Sequence, residues 1–345
     1  MTEACKSLSI STDLTQIPPA VSTNMVILRK CATAYLRQSR RIWNKLPTRI
    51  REGRFGRAYG KHLHHLVCRY GDRRQSLSTC FLRNKPELEL LLHLLEHTPQ
   101  HATIYISVVA CSKGAEVYSI LWKIRSARPD FSVIASAMDI SEEVIDFAAA
   151  GSYSLKSIDV TTTPDREQTR QADDMTWKDQ LCGHQALSMF ERMTAEEIHQ
   201  MFEVSGDQAT IRPWLKQGIT WLSADATGAN LPAALGPQDI VVANRFLCHM
   251  EPAIAETCLW NLARLVKPGG YIFVSGVDLN VRTKVARDLG WQPVTHLIEE
   301  VHDGDSSLRK GWPLEYWGLE PFCQDPVDWQ VRFASAFRIT ESVNQ

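Results

Sequence analysis

An α/β doubly wound fold, a mainly parallel sheet behind an all-helical N-terminal region, is what this sequence predicts. Three observations carry that expectation. Apolar residues recur at helical spacing from Met25 to about Gln100, short β-branched runs then alternate with helical stretches from Ile104, and a small-residue loop joins the first of those strands to its helix. With 345 residues, 44% of them hydrophobic, the chain buries a full core and has room for a domain plus an appendage.

In chain order, residues 1–24 are rich in Ser, Thr and Pro and read as a flexible arm. Residues 25–100 read as a helical subdomain, with the leucines of 88–95 following the helix-start signal Asn84-Lys85-Pro86. Residues 101–345 read as the α/β domain. Its expected units are a strand at Ile104–Val109 and a helix through Ile120, then a strand at Phe131–Ala135 and a helix through Val144. Residues 158–187 break the rhythm with Thr-Thr-Thr-Pro and a polar stretch, and read as an insertion. Strands follow at Ile219–Ser223 and Ile240–Ala243, then a helix from Glu251 to Leu265, a Lys267-Pro-Gly-Gly270 turn and a strand from Tyr271 to Ser275. Residues 276–345 form a C-terminal extension, in which the alternation of Val331, Phe333, Ser335, Phe337 and Ile339 predicts a last strand.

Charge is unevenly spread. Residues 1–75 carry 15 Lys and Arg against 4 Asp and Glu, a net +11, which leaves −12 for the rest of a chain whose formal charge is −1. Two readings follow: a basic surface for an acidic partner, or a basic helical region docked on an acidic domain, the latter preferred. Aromatics that would stack on bases are sparse among those charges, so nucleic acid is not the expected partner. The nine cysteines show no CxxC pair and no metal-ligand spacing, and no apolar run is long enough to span a bilayer; the cytoplasm is the expected compartment. The Arg-rich stretch from Arg37 to Arg57 resembles part of an organelle-targeting peptide, but it starts late and follows Glu3 and Asp13.

The stretch Ile104–Ser119 holds the chemistry. A strand, a tight loop of small residues and a helix let a ligand approach backbone N–H groups at the helix N-terminus. Asp139, after the second strand, stands where an acidic residue takes ribose hydroxyls. The pattern alone fits a dinucleotide or S-adenosylmethionine; only Gly114 lies in the turn, where a dinucleotide fingerprint needs three glycines, so a nicotinamide cofactor is disfavoured.

Ala110-Cys-Ser-Lys-Gly-Ala-Glu-Val-Tyr-Ser119 resembles the A-x-C-S-x-G-x-E-x-Y-S signature of the chemotaxis-receptor (CheR-type) methyltransferases. Five more segments follow in that family's order over about residues 76–275: Thr79-Cys-Phe-Leu-Arg83 (T-x-F-F-R), Asp139-Ile-Ser-Glu-Glu, Gly151-Ser-Tyr153 (G-x-Y), Asn244-Arg-Phe-Leu-Cys-His-Met250 (R-N-V-L-I-Y-F) and Leu265-Val-Lys-Pro-Gly-Gly270. The resemblance implies a class I, Rossmann-like methyltransferase fold with S-adenosyl-L-methionine as cofactor. It implies that Thr79 and Arg83 touch the methionine end and sulfonium region, that Ala110, Ser112, Gly114 and Glu116 form the cofactor loop, with Glu116 holding the amino-acid part, and that Asp139 takes the ribose. Asp225 stands where the family has an Asn near the adenine, and Asn244 and Arg245 invert the R-N pair. Each has a plainer rival: Thr79 and Arg83 one helical turn apart with Arg83 a surface residue, Glu116 complementing a helix N-terminus, Asp139 as an N-cap.

The departures cluster where the acceptor sits. His249 aligns with the family's Tyr near the transferred methyl. A carboxylate acceptor needs no base at neutral pH, whereas a hydroxyl or ammonium benefits from one, so His249 is the candidate catalytic base beside Arg83; a hydrogen-bonded histidine at the wall is its rival. The expected function is methylation of oxygen or nitrogen on a small-molecule or peptide acceptor in a biosynthetic pathway. The alternatives are methyl-ester formation on a protein glutamate and a non-catalytic cofactor-binding regulator. Trp312, Tyr316, Trp317 and Trp329 in the extension read as acceptor-pocket lining or, more often for such residues, core. His302, Asp303 and Asp305 suit a polar turn better than a metal, which this chemistry does not need.

Overall fold

The computed structural model describes residues 23–71, 73, 76–155 and 189–340. The expected insertion at 158–187 and nearly all of the expected arm lie outside the described residues.

Four helices come first: α1 (Thr23–Lys45), α2 (Thr48–Glu52), α3 (Arg54–Tyr70) and α4 (Lys85–Leu94). The side chain of Asn84 accepts the N–H of Glu87 and Pro86 sits in the first turn, which is why α4 starts there. The expected run of helix is interrupted after Tyr70. Thr79 and Arg83 therefore do not lie a helical turn apart: their segment is an irregular turn, with Leu82 in the left-handed region at φ 49°.

The alternation then begins: β1 (Thr103–Val109), α5 (Ala115–Ala127), β2 (Ser132–Asp139), α6 (Glu142–Ala150) and β3 (Ser152–Ser154). After the undescribed stretch come α7 (Ala195–Met201), β4 (Phe202–Ser205), β5 (Gln208–Ile211), α8 (Pro213–Lys216), β6 (Ile219–Ser223), α9 (Leu231–Leu235), β7 (Gln238–Val242), α10 (Pro252–Ala263), β8 (Val266–Phe273) and α11 (Leu279–Asp288). The chain closes with β9 (Gln292–Pro293), α12 (Ile298–Asp303), α13 (Ser306–Gly311), α14 (Trp329–Phe333) and β10 (Ala336–Arg338). The seven-stranded sheet runs β6-β2-β1-β7-β8-β10-β9, with β10 antiparallel to both neighbours. Alternate residues of its central strands feed two cores: Ile104, Ile106, Ile240 and Val242 pack with α4 and α5, while Val109, Val241 and Ala243 pack with α10 and α11. That two-sided burial makes these strands read as continuous apolar runs.

Three expectations differ. Lys267-Pro-Gly-Gly270 lies within β8: the register jumps from Gln238↔Val266 to Ile240↔Tyr271, so these residues form a bulge, with Gly269 at φ 84°. The alternation at 331–339 is strand only at its end. Asp328 opens a helical turn there, Phe333 is fully buried against His302 and Phe322, and Arg332 pairs with Glu320 at 2.8 Å. A small antiparallel sheet, β3-β5-β4, was not anticipated, because three strands of three or four residues are too short to show a period.

Charge asymmetry has a structural counterpart: Arg40 pairs with Glu315 at 2.7 Å and Lys61 with Glu320 at 3.1 Å, tying the basic helices to the C-terminal extension. Among the described residues no helix is long and apolar enough to cross a membrane.

Candidate active site

At the carboxyl ends of β1, β2, β6, β7 and β8, where the strand order reverses beside β1, lies a cavity of about 320 Å³. That is where parallel α/β sheets place ligands, and the volume is in the range of small-molecule pockets. Thr79, Arg83, Ala110, Ser112, Glu116, Asp139, Asp225, Asn244, Arg245 and His249 all line it.

The loop after β1 is built to expose backbone. Ala110 and Ser112 hold φ of 53° and 48°, conformations that cost non-glycine residues energy and persist only where surroundings enforce them. Enforcement is visible. The Cys111 N–H bonds Met138 O at 2.8 Å, the Ser112 N–H bonds the buried Asp139 carboxylate at 2.9 Å, and the Tyr153 hydroxyl donates to Lys113 O at 2.7 Å. The Tyr of the G-x-Y segment thus acts as a strut for the loop. Gly114 does not line the cavity. It opens α5 at φ 82°, where a Cβ would meet Ala148 and Trp221, so it serves the backbone turn and helix packing. Asp139 is not the cap of α6 either; Ser141 is.

The Thr79–Arg83 segment is pinned by Phe81, fully buried in an aromatic box with Tyr153, Phe190 and Phe202 at centroid distances of 5.0–5.5 Å. The Leu82 N–H donates to the Ser119 hydroxyl at 3.0 Å, and that hydroxyl donates to Ala115 O. The last Ser of the signature therefore fastens this segment to α5, leaving Thr79 and Arg83 on the cavity wall.

At the cavity floor the Asn244 amide donates to two carboxylates, Glu87 at 2.7 Å and Glu116 at 2.9 Å. Burial, with Glu116 alongside and outweighing the help of Asn244, pushes the Glu87 carboxyl up to about 8. Burial also raises Glu116, against the pull of Asn244, Arg83 and Arg245. Glu87 Oε2 and Asn244 Oδ1 are buried with no partner. Arg245, at φ 60°, ion-pairs with Asp305, which also meets Arg192 at 3.0 Å. Burial would raise the Asp305 carboxyl, but Arg245, Arg83, Ser307 and Arg192 together hold it below the usual range. Glu87 escaped the sequence reading, although the signal is present: it falls on the stripe of Leu90 and Leu91, an acid on a buried face.

His249 sits in a short 3-10 turn, its Nδ1 hydrogen-bonded to the Tyr316 hydroxyl at 2.9 Å. Arg73 braces that turn, donating to Cys248 O at 2.6 Å and Met250 O at 2.7 Å. Asp225 is exposed at the rim and accepts the Thr227 N–H at 2.8 Å. Trp312, Tyr316, Trp317 and Trp329 do not line the cavity: Trp312 packs on Trp43, Tyr316 on Trp317, and Trp329 on Phe322. The His302, Asp303 and Asp305 side chains diverge to Glu320 O, Arg309 and Arg245, and no metal-binding cluster is found among the described residues.

The donor set fits S-adenosylmethionine. Its amino-acid end and sulfonium carry two cationic centres and one carboxylate, and the floor offers two carboxyls and one guanidinium, with Glu87 Oε2 and Asn244 Oδ1 buried and without a hydrogen-bond partner.

Residues 78–181 match the family model of the CheR methyltransferase SAM-binding domain. No curated protein sequence matches the chain significantly. Solved structures similar to it include the citrinin polyketide synthase CMeT domain (12% identity, TM-score 0.31, 55% of this chain), of whose length the match spans only 33%. Others are the magnesium protoporphyrin IX methyltransferase of Synechocystis with bound SAM (14%, 0.31, 80% of this chain and 89% of that one) and an O-methyltransferase family protein from Burkholderia thailandensis (13%, 0.30, 86% and 62%).

Proposed function

We propose, from the premise that residues 78–181 are a CheR-type S-adenosylmethionine-binding domain in an S-adenosylmethionine-dependent methyltransferase, that this chain methylates oxygen or nitrogen of a small-molecule or peptide acceptor in a biosynthetic pathway. The observation that carries the acceptor class is His249, on the cavity wall with Nδ1 engaged by Tyr316.

Bound S-adenosylmethionine supplies a methyl on a sulfonium, already a strong electrophile. The protein's work is to align, exclude water and accept a proton. Glu116 and Arg83 would hold the amino-acid end, Asp139 the ribose and Asp225 the adenine. In the tautomer whose Nδ1–H donates to the Tyr316 oxygen, Nε2 is the basic nitrogen of His249 and would take the proton of the acceptor hydroxyl or ammonium. The domain scheme in this reading is a helical subdomain at 25–100, whose last segment supplies Thr79 and Arg83, and a catalytic domain at 101–345. The cytoplasm suits it: the described cysteines, Cys31, Cys68, Cys80, Cys111, Cys248, Cys258 and Cys323, are free thiols.

The test is a mass-spectrometric search for a cell-extract component that gains one methylene only with protein and cofactor present. A methylated hydroxyl or amine supports the reading; a methyl ester on a protein glutamate, or cofactor binding with no S-adenosylhomocysteine formed, overturns it.

A further inference from the structure

Glu87 lies on the cavity floor without a task of its own in the reading above. It is a buried acid on α4, four residues after Arg83, sharing one amide with Glu116 of α5 across a sequence gap that nothing local bridges. Two carboxyls facing one buried amide cannot both be ionised cheaply, because each charge loses hydration and repels the other. The charged groups around the pair are Arg83 from its own side, Arg245 from the β7 end, and Asp305 from the start of α13. Arg245 is already committed to Asp305, and Arg83 donates to Ser78 O at 2.9 Å. Asp305 also holds Arg192, so neither carboxyl of the pair has an ion-pair contact among the described residues and Glu87 Oε2 has no partner; burial first, then Glu116, raises Glu87 to about 8.

We propose that Glu87 reads the charge of the cofactor: with Glu116 it forms a two-carboxylate cradle that ionises fully only opposite the sulfonium form, so binding S-adenosylmethionine expels a proton that the neutral thioether product leaves in place. This rests on the cavity being the cofactor site. The pairing of charges supports it. Ammonium and sulfonium would stand against Glu116 and Glu87, and the carboxylate against Arg83; after transfer the sulfonium has become an uncharged thioether, the methyl has gone to the acceptor, and Glu87 has lost the charge opposite it. Glu87 then takes a proton back, and the product is held less tightly than the cofactor. The sign follows: the free group is protonated below about 8, so affinity for the sulfonium form strengthens as pH rises toward that value and product inhibition weakens with it. The free chain behaves oppositely. A folded-state value raised above the unfolded one gives stability that is present at acid pH and lost as pH rises through about 8.

Calorimetry of the full chain in buffers of different ionisation heat tests this near neutral pH. The expected result is release of about one proton per S-adenosylmethionine bound, at most half as much for S-adenosylhomocysteine, and loss of both the release and the difference in Glu87→Gln. Binding of S-adenosylmethionine with buffer-independent heat overturns the charge-reading role alone, as does a Glu87→Gln protein that keeps the wild-type release. No binding of either compound overturns the cofactor assignment itself. The wild-type measurement stands even where Glu87→Gln fails to fold.

Discussion

Two walls of one cavity are built differently. On the wall around the β1–α5 loop the fastening contacts join residues close in sequence: Ser112 to Asp139 across 27 positions, Leu82 to Ser119 across 37, Tyr153 to Lys113 across 40. On the wall that holds Asn244, Arg245 and His249, partners come from far: Asp305 at 60 positions, Tyr316 at 67, Glu87 at 157, Arg73 at 175. The difference teaches where a family's signature is expected to persist. The near wall exposes backbone beside an acid and is fastened by contacts within residues 82–153. The far wall is assembled by the helices and the extension that pack over it.

The sharpest break of that comparison is His249→Ala. It should lower turnover roughly 10²–10⁴-fold with cofactor affinity nearly unchanged. Tyr316→Phe should show a smaller loss of the same kind, read as kcat falling while KM holds. Normal turnover in His249→Gln would remove the base and return the carboxylate acceptor.

Asp305→Asn tests whether the far wall is also a stability element. Losing the acid of a buried pair with Arg245 and Arg192 should cost about 3–5 kcal/mol in denaturant unfolding, because two guanidinium groups are left uncompensated. Because the folded-state carboxyl lies below its ordinary value, this contribution is present above that value and lost as pH falls through the lowered one. The difference between wild type and Asp305→Asn should therefore shrink in acid.

On the near wall, Asp139→Ala should weaken S-adenosylmethionine binding by about 1.5–3 kcal/mol in calorimetry, through lost ribose bonds and a freed Ser112 N–H. Wild-type affinity would refute the ribose assignment. Gly60→Ala probes the seam between basic helices and extension, since a Cβ there would overlap the Trp312 ring. It should cost about 1–3 kcal/mol in thermal unfolding and loosen the extension before the sheet, as seen by hydrogen exchange. The smallest effect belongs to Ala110→Gly: relief of the left-handed backbone, offset by greater unfolded-state freedom, should leave stability within about 1 kcal/mol of wild type.

The sequence by itself determined the parallel strands, the small-residue loop after β1 and the acid after β2, because their physics is local. Two-sided burial writes apolar runs, a tight turn needs small residues, and the fastening groups Asp139, Ser119 and Tyr153 lie within the same motifs. The tertiary structure alone decided that Gly114 turns away from the cavity, that Lys267–Gly270 is a bulge, and that residues 329–333 are helix, because each outcome depends on neighbours distant in the chain. It also decided the cavity floor. Nothing in a linear reading joins Glu87 to Glu116 through Asn244, or His249 to Tyr316, since hydrogen-bond partners separated by 67 to 157 residues are chosen by how helices pack over the sheet.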